Sequence, residues 1–454
     1  MSTRVDQYAE TINPVTSRNV QQASEAKTIS RTNALKGIFA DSGKAQDFAK
    51  ETKGYVLDNL ASLLVEFEKN CVANGIKVHW AEDAAEANRI VLNICAKAAP
   101  VGSSIVKAKS MATEEIHLNK ALEGAGYRPI ETDLGEFVVQ IDDDVPTHIV
   151  TPIIHKNRGE ISKSFVREHL GPETTVPEEL AGQARQHLRS KFREAKIGIS
   201  GVNFGIAETG RLVLVENEGN SRLSTTVTDT HIAVMGIEKL LPSESDLAVF
   251  LPLLAGSATG QRITTYTHFI SGPRKDDETD GPKEVHVVLL DNGRSKILAG
   301  PYRDILKCIR CGACLNVCPV YRQVGGHGYQ HVYSGPLGAV LAPGLEGVVA
   351  YGDLAKASSL CGACEEVCPV RIPIPTMLLK LRDESVQKKV VKDAVPWNLF
   401  SIGARQSFFW RTGLTMLPMA SKMPHPLKSA WASSREVPEG DQGAFRKWWK
   451  NRND

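Results

Sequence analysis

The chain has 454 residues, a length that suggests about three domains. Hydrophobic residues make up 42% and charged residues 23%, which is ordinary for a globular protein with a large core. The net charge of +2 favours neither a nucleic-acid partner nor a charged membrane surface. The N-terminus has no apolar segment of a secretory signal, and no apolar run reaches the roughly 18 residues of a transmembrane helix. We therefore expect a cytoplasmic protein.

The first two thirds of the chain predict an N-terminal arm followed by an α/β domain. Residues 1–54 are polar, which indicates a flexible lead and then a helical arm. Apolar residues recur at helical spacing from Tyr55 to Ala73 and predict one amphipathic helix. From there to residue 295, strand-like and helical segments alternate, which predicts a largely parallel sheet. Strands are expected at 76–81 and 102–110, helices at 81–99, 113–126 and 177–195, and further apolar runs lie at 137–141, 148–154, 197–207, 212–219, 231–237 and 285–290.

Two groups of charged residues in the α/β domain are candidates for chemistry. Glu216 and Glu218 follow an apolar run in a glycine-rich stretch, and such glutamates resemble the nucleophile segment of CoA transferases, which suggests acyl transfer. The favoured alternative is that they cap turns on a non-catalytic scaffold. The second group is placed to meet an anionic substrate or, as we favour, to act as solvated charges at a helix start: Lys107, Lys109, Glu114 and Glu115. No nucleotide-binding fingerprint is present.

The cysteines are concentrated in residues 300–385, where seven of the nine lie. Their odd total, without an export signal, argues against a disulfide framework. The first motif has the bacterial ferredoxin spacing C-x2-C-x2-C-x3-C-P and comprises Cys308, Cys311, Cys314 and Cys318, followed by Pro319. Three thiolates two residues apart can hold three corners of a cubane, while the fourth begins a helix that points away.

A second motif repeats the C-G-A-C-x3-C-P pattern with Cys361, Cys364 and Cys368. In two-cluster ferredoxins the fourth cysteine of such a run ligates the other cluster. This rule predicts two [4Fe–4S] clusters. Cluster 1 would be held by Cys308, Cys311, Cys314 and Cys368, and cluster 2 by Cys318, Cys361 and Cys364. The alternatives are zinc, which also binds C-x2-C pairs but needs neither the third cysteine nor the Cys-Pro, and a purely structural cluster.

Cluster 2 is one cysteine short, because Ser358 stands at the position that corresponds to Cys308. Several solutions remain open: a cubane with a serine, histidine or partner ligand, a [3Fe–4S] cluster, or an iron open to solvent. His327 and His331, between the two motifs, are candidate ligands. We favour the interpretation that they only line a glycine-rich loop. Cys71 and Cys95 are expected to be ordinary core or surface thiols.

Residues 386–454 form a basic tail that holds five of the six tryptophans. Its prolines predict helix only in short pieces. Exposed aromatic residues beside arginines suit docking to a partner subunit or contact with a membrane face. Packing back over the cysteine module is the alternative.

The chain as a whole resembles the lactate utilisation protein B family, the iron–sulfur subunit of the bacterial L-lactate oxidation complex. The resemblance is carried by residues 109–140, 198–222, 308–329 and 359–375. It implies a lactate-utilisation domain with an isomerase- or CoA-transferase-like α/β fold, joined to an α-helical dicluster ferredoxin-like module. Three cysteines at the second cluster also fit the family's pattern.

The resemblance further implies electron transfer in a multi-subunit system that oxidises L-lactate to pyruvate. It implies two other lactate-utilisation subunits as partners and leaves the electron acceptor open. No flavin or nicotinamide motif is present, so we expect the oxidation itself on a partner. The alternatives are an electron-transfer subunit for another donor, of glycolate or heterodisulfide type, and an acyl-transfer enzyme with accessory clusters.

Overall fold

The computed structural model describes residues 3–390, 397–420 and 444–452. The chain divides into two compact units, one of residues 2–391 and one of residues 1 and 392–454. The three segments that the sequence separates at about residues 55 and 300 lie within the first unit. Where their boundaries fall stays a prediction.

A six-stranded, fully parallel sheet forms the centre of the first unit, with the strand order β1-β10-β7-β4-β2-β3. Its strands are β1 (Lys77–Ala81), β2 (Ser104–Lys107), β3 (Arg128–Glu131), β4 (Ile197–Gly201), β7 (Thr230–Gly236) and β10 (Glu284–Leu290). The two inner strands β7 and β10 are almost continuously apolar and buried, as expected where helices cover both faces. The predicted α/β architecture is confirmed.

A second, four-stranded sheet has the order β8-β5-β6-β9 and is mixed. Its strands are β5 (Phe204–Ile206), β6 (Arg211–Glu216), β8 (Leu240–Leu241) and β9 (Tyr266–Ile270). The glycine-rich segment 201–222 therefore runs from the end of β4 into this smaller sheet. Glu216 closes β6 and does not lie at the end of a parallel strand.

Helices cover the sheets: α4 (Leu60–Ala73), α5 (Ala84–Ala98), α6 (Met111–Glu115), α7 (Leu118–Gly124), α8 (Leu134–Ile141), α9 (Arg158–Arg167), α10 (Pro177–Glu194), α11 (Asn220–Thr226) and α12 (Leu247–Ala258). The expected helix at 113–126 is interrupted, because His117 adopts φ 51° between α6 and α7. The apolar run 137–141 belongs to α8, and 148–154 forms no strand. A short apolar run cannot distinguish a buried helix from a strand by itself.

The N-terminal arm is helical almost from its start, so the prediction of a flexible lead was wrong. It consists of α1 (Arg4–Ala9), α2 (Pro14–Ile38) and α3 (Ser42–Asp58). The single helix expected over 55–73 is instead the end of α3 and the whole of α4, divided at Asn59. Tertiary contacts hold this polar segment: Arg4 forms an ion pair with Asp353 at 2.9 Å, and Val20 is fully buried.

The cysteine module is built from helices: α13 (Arg294–Leu298), α14 (Ala313–Val317), α15 (Pro319–Val324), α16 (Gly335–Glu346), α17 (Val348–Tyr351), α18 (Ala363–Glu366) and α19 (Ile374–Gln387). Of these, α14 and α15 pack against α2. Buried side chains of α2, α12 and the module belong to one continuous hydrophobic core. The arm therefore closes the module on one side.

In the tail, the described residues form α20 (Trp397–Arg405), α21 (Ser407–Ala420) and α22 (Ala444–Lys450). These residues form separate helices, as predicted. Several aromatic side chains are exposed: Phe408, Phe409, Trp410, Trp448 and Trp449. Trp431 lies outside the described residues. Within the described part of the chain, no helix combines the length and apolar character needed to cross a bilayer.

Candidate metal centre

The first cysteine motif forms a tight loop whose backbone is set by two residues with positive φ. Arg310 has φ 62° and Gly312 has φ 75°, and Gly312 caps α14. A side chain at Gly312 would also collide with His148, because an added Cβ would lie 2.9 Å from its Cε1 atom. Cys318 caps α15, as the spacing predicts, so its thiol turns away from the loop. The local sequence thus separates the first three thiols from the fourth.

Cysteines from both motifs line one small cavity. Its four thiols are those of Cys308, Cys311, Cys314 and Cys368. The remaining wall is mostly aliphatic and includes Leu337, Val370 and Ile372. These four cysteines are the ones predicted to hold cluster 1. The fold places Cys368 of the second motif at the same cavity as three cysteines of the first.

The other three cysteines lie together beside this cavity. Burial, helped by the negative charges of Cys318 and Cys361, raises the pKa of Cys364 to about 12. Burial and the charges of neighbouring cysteines, Cys364 among them, likewise raise the pKa of Cys314. Helix α14, which holds Cys314, packs against α18, which holds Cys364, so the two sets are neighbours. Among the described residues, this second set offers three thiols.

Backbone amides point at the sulfur atoms. The amide of Arg310 donates to Cys308 Sγ at 3.3 Å, that of Ile372 to Cys368 Sγ at 3.3 Å, and that of Tyr321 to Cys318 Sγ at 3.5 Å. Such donors stabilise negative charge on sulfur and are one of the means by which a protein tunes the potential of a cluster. They are in place on both cysteine sets.

Helices α2 and α3 contribute cover that the sequence did not reveal. The Arg31 guanidinium donates to the Val367 carbonyl at 2.7 Å and lies near Cys311 and Cys368, while its Nε has no hydrogen-bond partner in the described part of the chain. Gln46 donates to the Cys368 carbonyl at 3.5 Å. The sequence offered no signal for these contacts, since both residues lie more than 300 positions from the motif they touch.

The donor set fits iron–sulfur clusters. Four thiols converge on an aliphatic cavity, and soft thiolate ligands select metals of this kind. Burial, with the charge of Cys308, raises the pKa of Cys311 to about 12. Thiols packed so closely resist ionisation unless a metal compensates their charge. The arrangement is suited to binding a metal centre and poorly suited to free thiolates.

The two candidate histidine ligands are engaged elsewhere. His327 Nε2 lies 3.1 Å from Asp144 Oδ1, and His331 Nε2 lies 2.8 Å from Glu346 Oε1. The other ring nitrogen of His331 accepts the Tyr333 amide at 3.0 Å. These contacts support the interpretation that both histidines are structural.

A buried charged network connects the first cysteine loop with the α/β part of the unit. Arg294 binds Glu115 with two parallel hydrogen bonds of 2.8 Å and binds Glu238 at 2.7 Å. Arg310, from the cysteine loop, reaches Glu238 at 3.2 Å, and Tyr333 donates to Glu115 at 2.7 Å. All five side chains are buried. Because every charge has a partner, the network fixes the loop against the sheet.

The charged residues Lys107, Lys109, Glu114 and Glu115 were expected either to meet an anionic substrate or to be solvated at a helix start. For most of them the structure shows neither. Lys107 is fully buried and pairs with Glu114 at 2.9 Å and Glu131 at 2.7 Å, so it is neither solvated nor available to a ligand. Glu115 is committed to Arg294. Lys109 is the member of the group that lines a large cavity. Burial, which depends on distant segments, decided this outcome.

That cavity has a volume of about 470 Å³ and lies at the carboxyl ends of β4 and β7. This is where parallel sheets bind ligands, and the size suits a small organic molecule. Lys239 lines it and makes no hydrogen bond or ion pair with any described residue. Burial and the nearby Arg310 lower the pKa of Lys239 to about 8. Arg310 belongs to the first cysteine loop and also lines this cavity, so the cavity adjoins that loop.

The two candidate glutamates differ. Glu216 accepts the amides of Ser221 (2.7 Å) and Arg222 (2.8 Å) and lies 2.7 Å from His268 Nε2. A carboxylate held by three partners in this way stabilises a turn and is a poor nucleophile. Among the described residues, Glu218 accepts one hydrogen bond, from the Leu134 amide at 3.0 Å. Desolvation, with the charge of Asp133, raises the pKa of Glu218 to about 7. Both line the cavity.

Three family descriptions match successive parts of the chain: LUD domain over residues 64–290, 4Fe-4S dicluster domain over 304–372, and Lactate utilisation protein B, C-terminal, over 373–454. Lactate utilization protein B of Geobacillus sp. (strain WCH70) is 45% identical over 416 residues, which cover 88% of this chain and 87% of the relative. The chain belongs to the lactate utilisation protein B family. The predicted resemblance is confirmed.

Two further relatives have the same name as the first. Lactate utilization protein B of Macrococcus caseolyticus is 45% identical and covers 90% of this chain and 88% of the relative. Lactate utilization protein B of Bacillus subtilis (strain 168) is 44% identical, and the match covers 90% of this chain and 87% of the relative. A solved DUF162 family structure from Deinococcus radiodurans matches 51% of this chain and 98% of its own at 13% identity, with a TM-score of 0.29. The dicluster match indicates iron–sulfur clusters and argues against the zinc alternative.

Proposed function

We propose that this chain is the electron-transfer subunit of an assembly that oxidises L-lactate to pyruvate, and that it holds two [4Fe–4S] clusters. The observation that carries the proposal is the presence of two adjacent cysteine sets, the first of which adjoins a cavity of the α/β part through Arg310. The relatives are named for lactate utilisation, which supports lactate as the substrate of the assembly.

Under this proposal Cys308, Cys311, Cys314 and Cys368 hold cluster 1, and Cys318, Cys361 and Cys364 hold cluster 2. Oxidation of lactate to pyruvate releases two electrons and two protons, and a [4Fe–4S] cluster carries electrons one at a time. The chain's own residues shape the environment. Amides of Arg310, Ile372 and Tyr321 bind the sulfur atoms, and the aliphatic wall excludes water from the first set.

The large cavity supports the same proposal. Lys239 has no partner among the described residues, and Arg310 has a buried Nε without a hydrogen bond. Arg310 pairs with Glu238 through Nη2, so its free Nε and the Lys239 ammonium are the donors that an organic anion could use at this cavity next to the first cysteine loop. Carbon oxidation is assigned to one of the two partner subunits. Partner contact through the tail, with peripheral membrane contact as its alternative, is part of this proposal.

Electron paramagnetic resonance on the anaerobically isolated assembly tests the function. We expect signals of reduced clusters after addition of L-lactate, with the same shape as those that dithionite produces in this chain alone. D-lactate and glycolate are the comparison substrates. If glycolate reduces the clusters and L-lactate does not, the donor assignment is wrong. If dithionite reduces no cluster in the reconstituted chain, the electron-transfer proposal itself fails.

Substitution of Glu218 separates electron transfer from the acyl-transfer alternative. In the Glu218→Gln variant we expect the lactate-dependent cluster reduction to stay within about twofold of the unmodified assembly, because a carrier needs no nucleophilic carboxylate. The matched variant is Glu216→Gln, which loosens a turn. Loss of an acyl-transfer activity in Glu218→Gln, with Glu216→Gln active, would favour the enzyme instead.

A further inference from the structure

The two cysteine motifs are folded as structural copies of each other. In the first, Arg310 (φ 62°) and Gly312 (φ 75°) precede α14; in the second, Leu360 (φ 55°) and Gly362 (φ 86°) precede α18. Positive φ is unfavourable for arginine and leucine, so its occurrence at both equivalent positions reflects the same constrained turn. When the two motifs are aligned, Ser358 corresponds to Cys308, Cys361 to Cys311 and Cys364 to Cys314.

Ser358 also reproduces the hydrogen bond of its counterpart. The Arg310 amide donates to Cys308 Sγ at 3.3 Å, and the Leu360 amide donates to Ser358 Oγ at 3.2 Å. In both loops the donor is two residues after the acceptor. The Ser358 oxygen therefore has the same relation to the backbone of its loop as the Cys308 sulfur has to the first loop.

The backbone at Ser358 is fixed from outside the loop. Arg382, on α19, donates to the Ser358 carbonyl at 2.6 Å and to the Ala355 carbonyl at 2.8 Å. Other candidates for a fourth ligand are weaker, because His327 and His331 bind Asp144 and Glu346. Ser358 therefore offers an oxygen ligand, held by hydrogen bonds, at the position of the second motif that has no cysteine.

We propose that Ser358 Oγ is the fourth protein ligand of cluster 2. On binding, the Oγ–H bond breaks, an Fe–O bond forms and the proton passes to solvent, with no change in oxidation state. The inference rests on the proposed assignment of Cys318, Cys361 and Cys364 to this cluster. An oxygen ligand is harder than thiolate and makes one iron chemically distinct from the other three.

The test uses the full chain, anaerobically reconstituted with 57Fe and sulfide, and three variants: Ser358→Cys, Ser358→Ala and Ser190→Ala. Ser190 serves as the control, because it is an exposed serine of α10 that bonds the His187 carbonyl and contacts no cysteine in the described part of the chain. Mössbauer spectra of the unmodified chain should contain a distinct iron subsite. We expect Ser358→Cys to abolish this subsite while keeping the iron content. We expect Ser358→Ala to lose about one iron per chain and to show a [3Fe–4S] signal when oxidised. Ser190→Ala should match the unmodified chain.

The outcomes distinguish this inference from the broader proposal. If the unmodified chain binds two clusters but Ser358→Cys retains the distinct subsite, or Ser358→Ala matches the unmodified chain, Ser358 is not a ligand. In that case the fourth ligand is solvent, a partner residue or another side chain such as Glu366, which lies near Cys361. If the unmodified chain binds fewer than two clusters, the ligand assignment itself is wrong. Should Ser358→Ala fail to fold, the Ser358→Cys spectrum alone decides.

Discussion

Replacing Cys368 with alanine is expected to remove about half of the iron and acid-labile sulfide that the reconstituted chain binds. Although Cys368 belongs to the second motif, its thiol lines the cavity of the first motif. The variant should therefore lose the dithionite-reduced signal of cluster 1 and keep that of cluster 2. Metal analysis and electron paramagnetic resonance on the same sample measure both effects.

Double variants make this test independent of the total iron content. Cys311→Ala with Cys368→Ala should lose no more iron than either single variant, because both thiols line one cavity. Cys361→Ala with Cys368→Ala should lose nearly all of it. Cys95→Ala is the matched control, since Cys95 is a fully buried free thiol of α5. If Cys368→Ala and Cys361→Ala deplete the same signal, the motifs do not cross and the ligand assignment must be redrawn.

Substitution of Arg294 with methionine should lower the free energy of unfolding by about 3–5 kcal/mol, because it leaves Glu115 without its buried cation and Glu238 with fewer partners. Anaerobic urea unfolding of the reconstituted chain, followed by circular dichroism, measures the change. The network is expected to resist added salt, since its charges are shielded from solvent.

Two further variants test the cause of that loss. Glu115→Gln added to Arg294→Met removes the uncompensated carboxylate and should recover part of the stability. Lys77→Met is the matched control: it breaks the Lys77–Glu284 pair, whose side chains are about half exposed (52% and 48%), so it should cost at most about 1 kcal/mol. Equal losses in Arg294→Met and Lys77→Met would show that burial of the network contributes no special stability.

The sequence predicted what depends on local pattern. The C-x2-C-x2-C-x3-C-P spacing constrains its own loop, since Gly312 and the helix-capping Cys318 are close neighbours in the chain. Alternating apolar segments likewise predicted the parallel sheet, because strand and helix periodicities are properties of short segments. The family resemblance followed from the same motifs.

Only the tertiary structure decided which polar residues are buried, which charges are paired and what covers the cysteines. Glu115 was expected at a solvated helix start or facing a substrate, yet it pairs with Arg294, 179 residues away. The N-terminal arm was expected to begin with a flexible lead, yet α1 forms there and Arg4 pairs with Asp353, 349 residues away. Short-range periodicity carries no information about partners so distant in the chain, because burial and ion pairing depend on how complete elements pack. Local chemistry thus determined where metal is expected, and packing determined the surroundings that tune it.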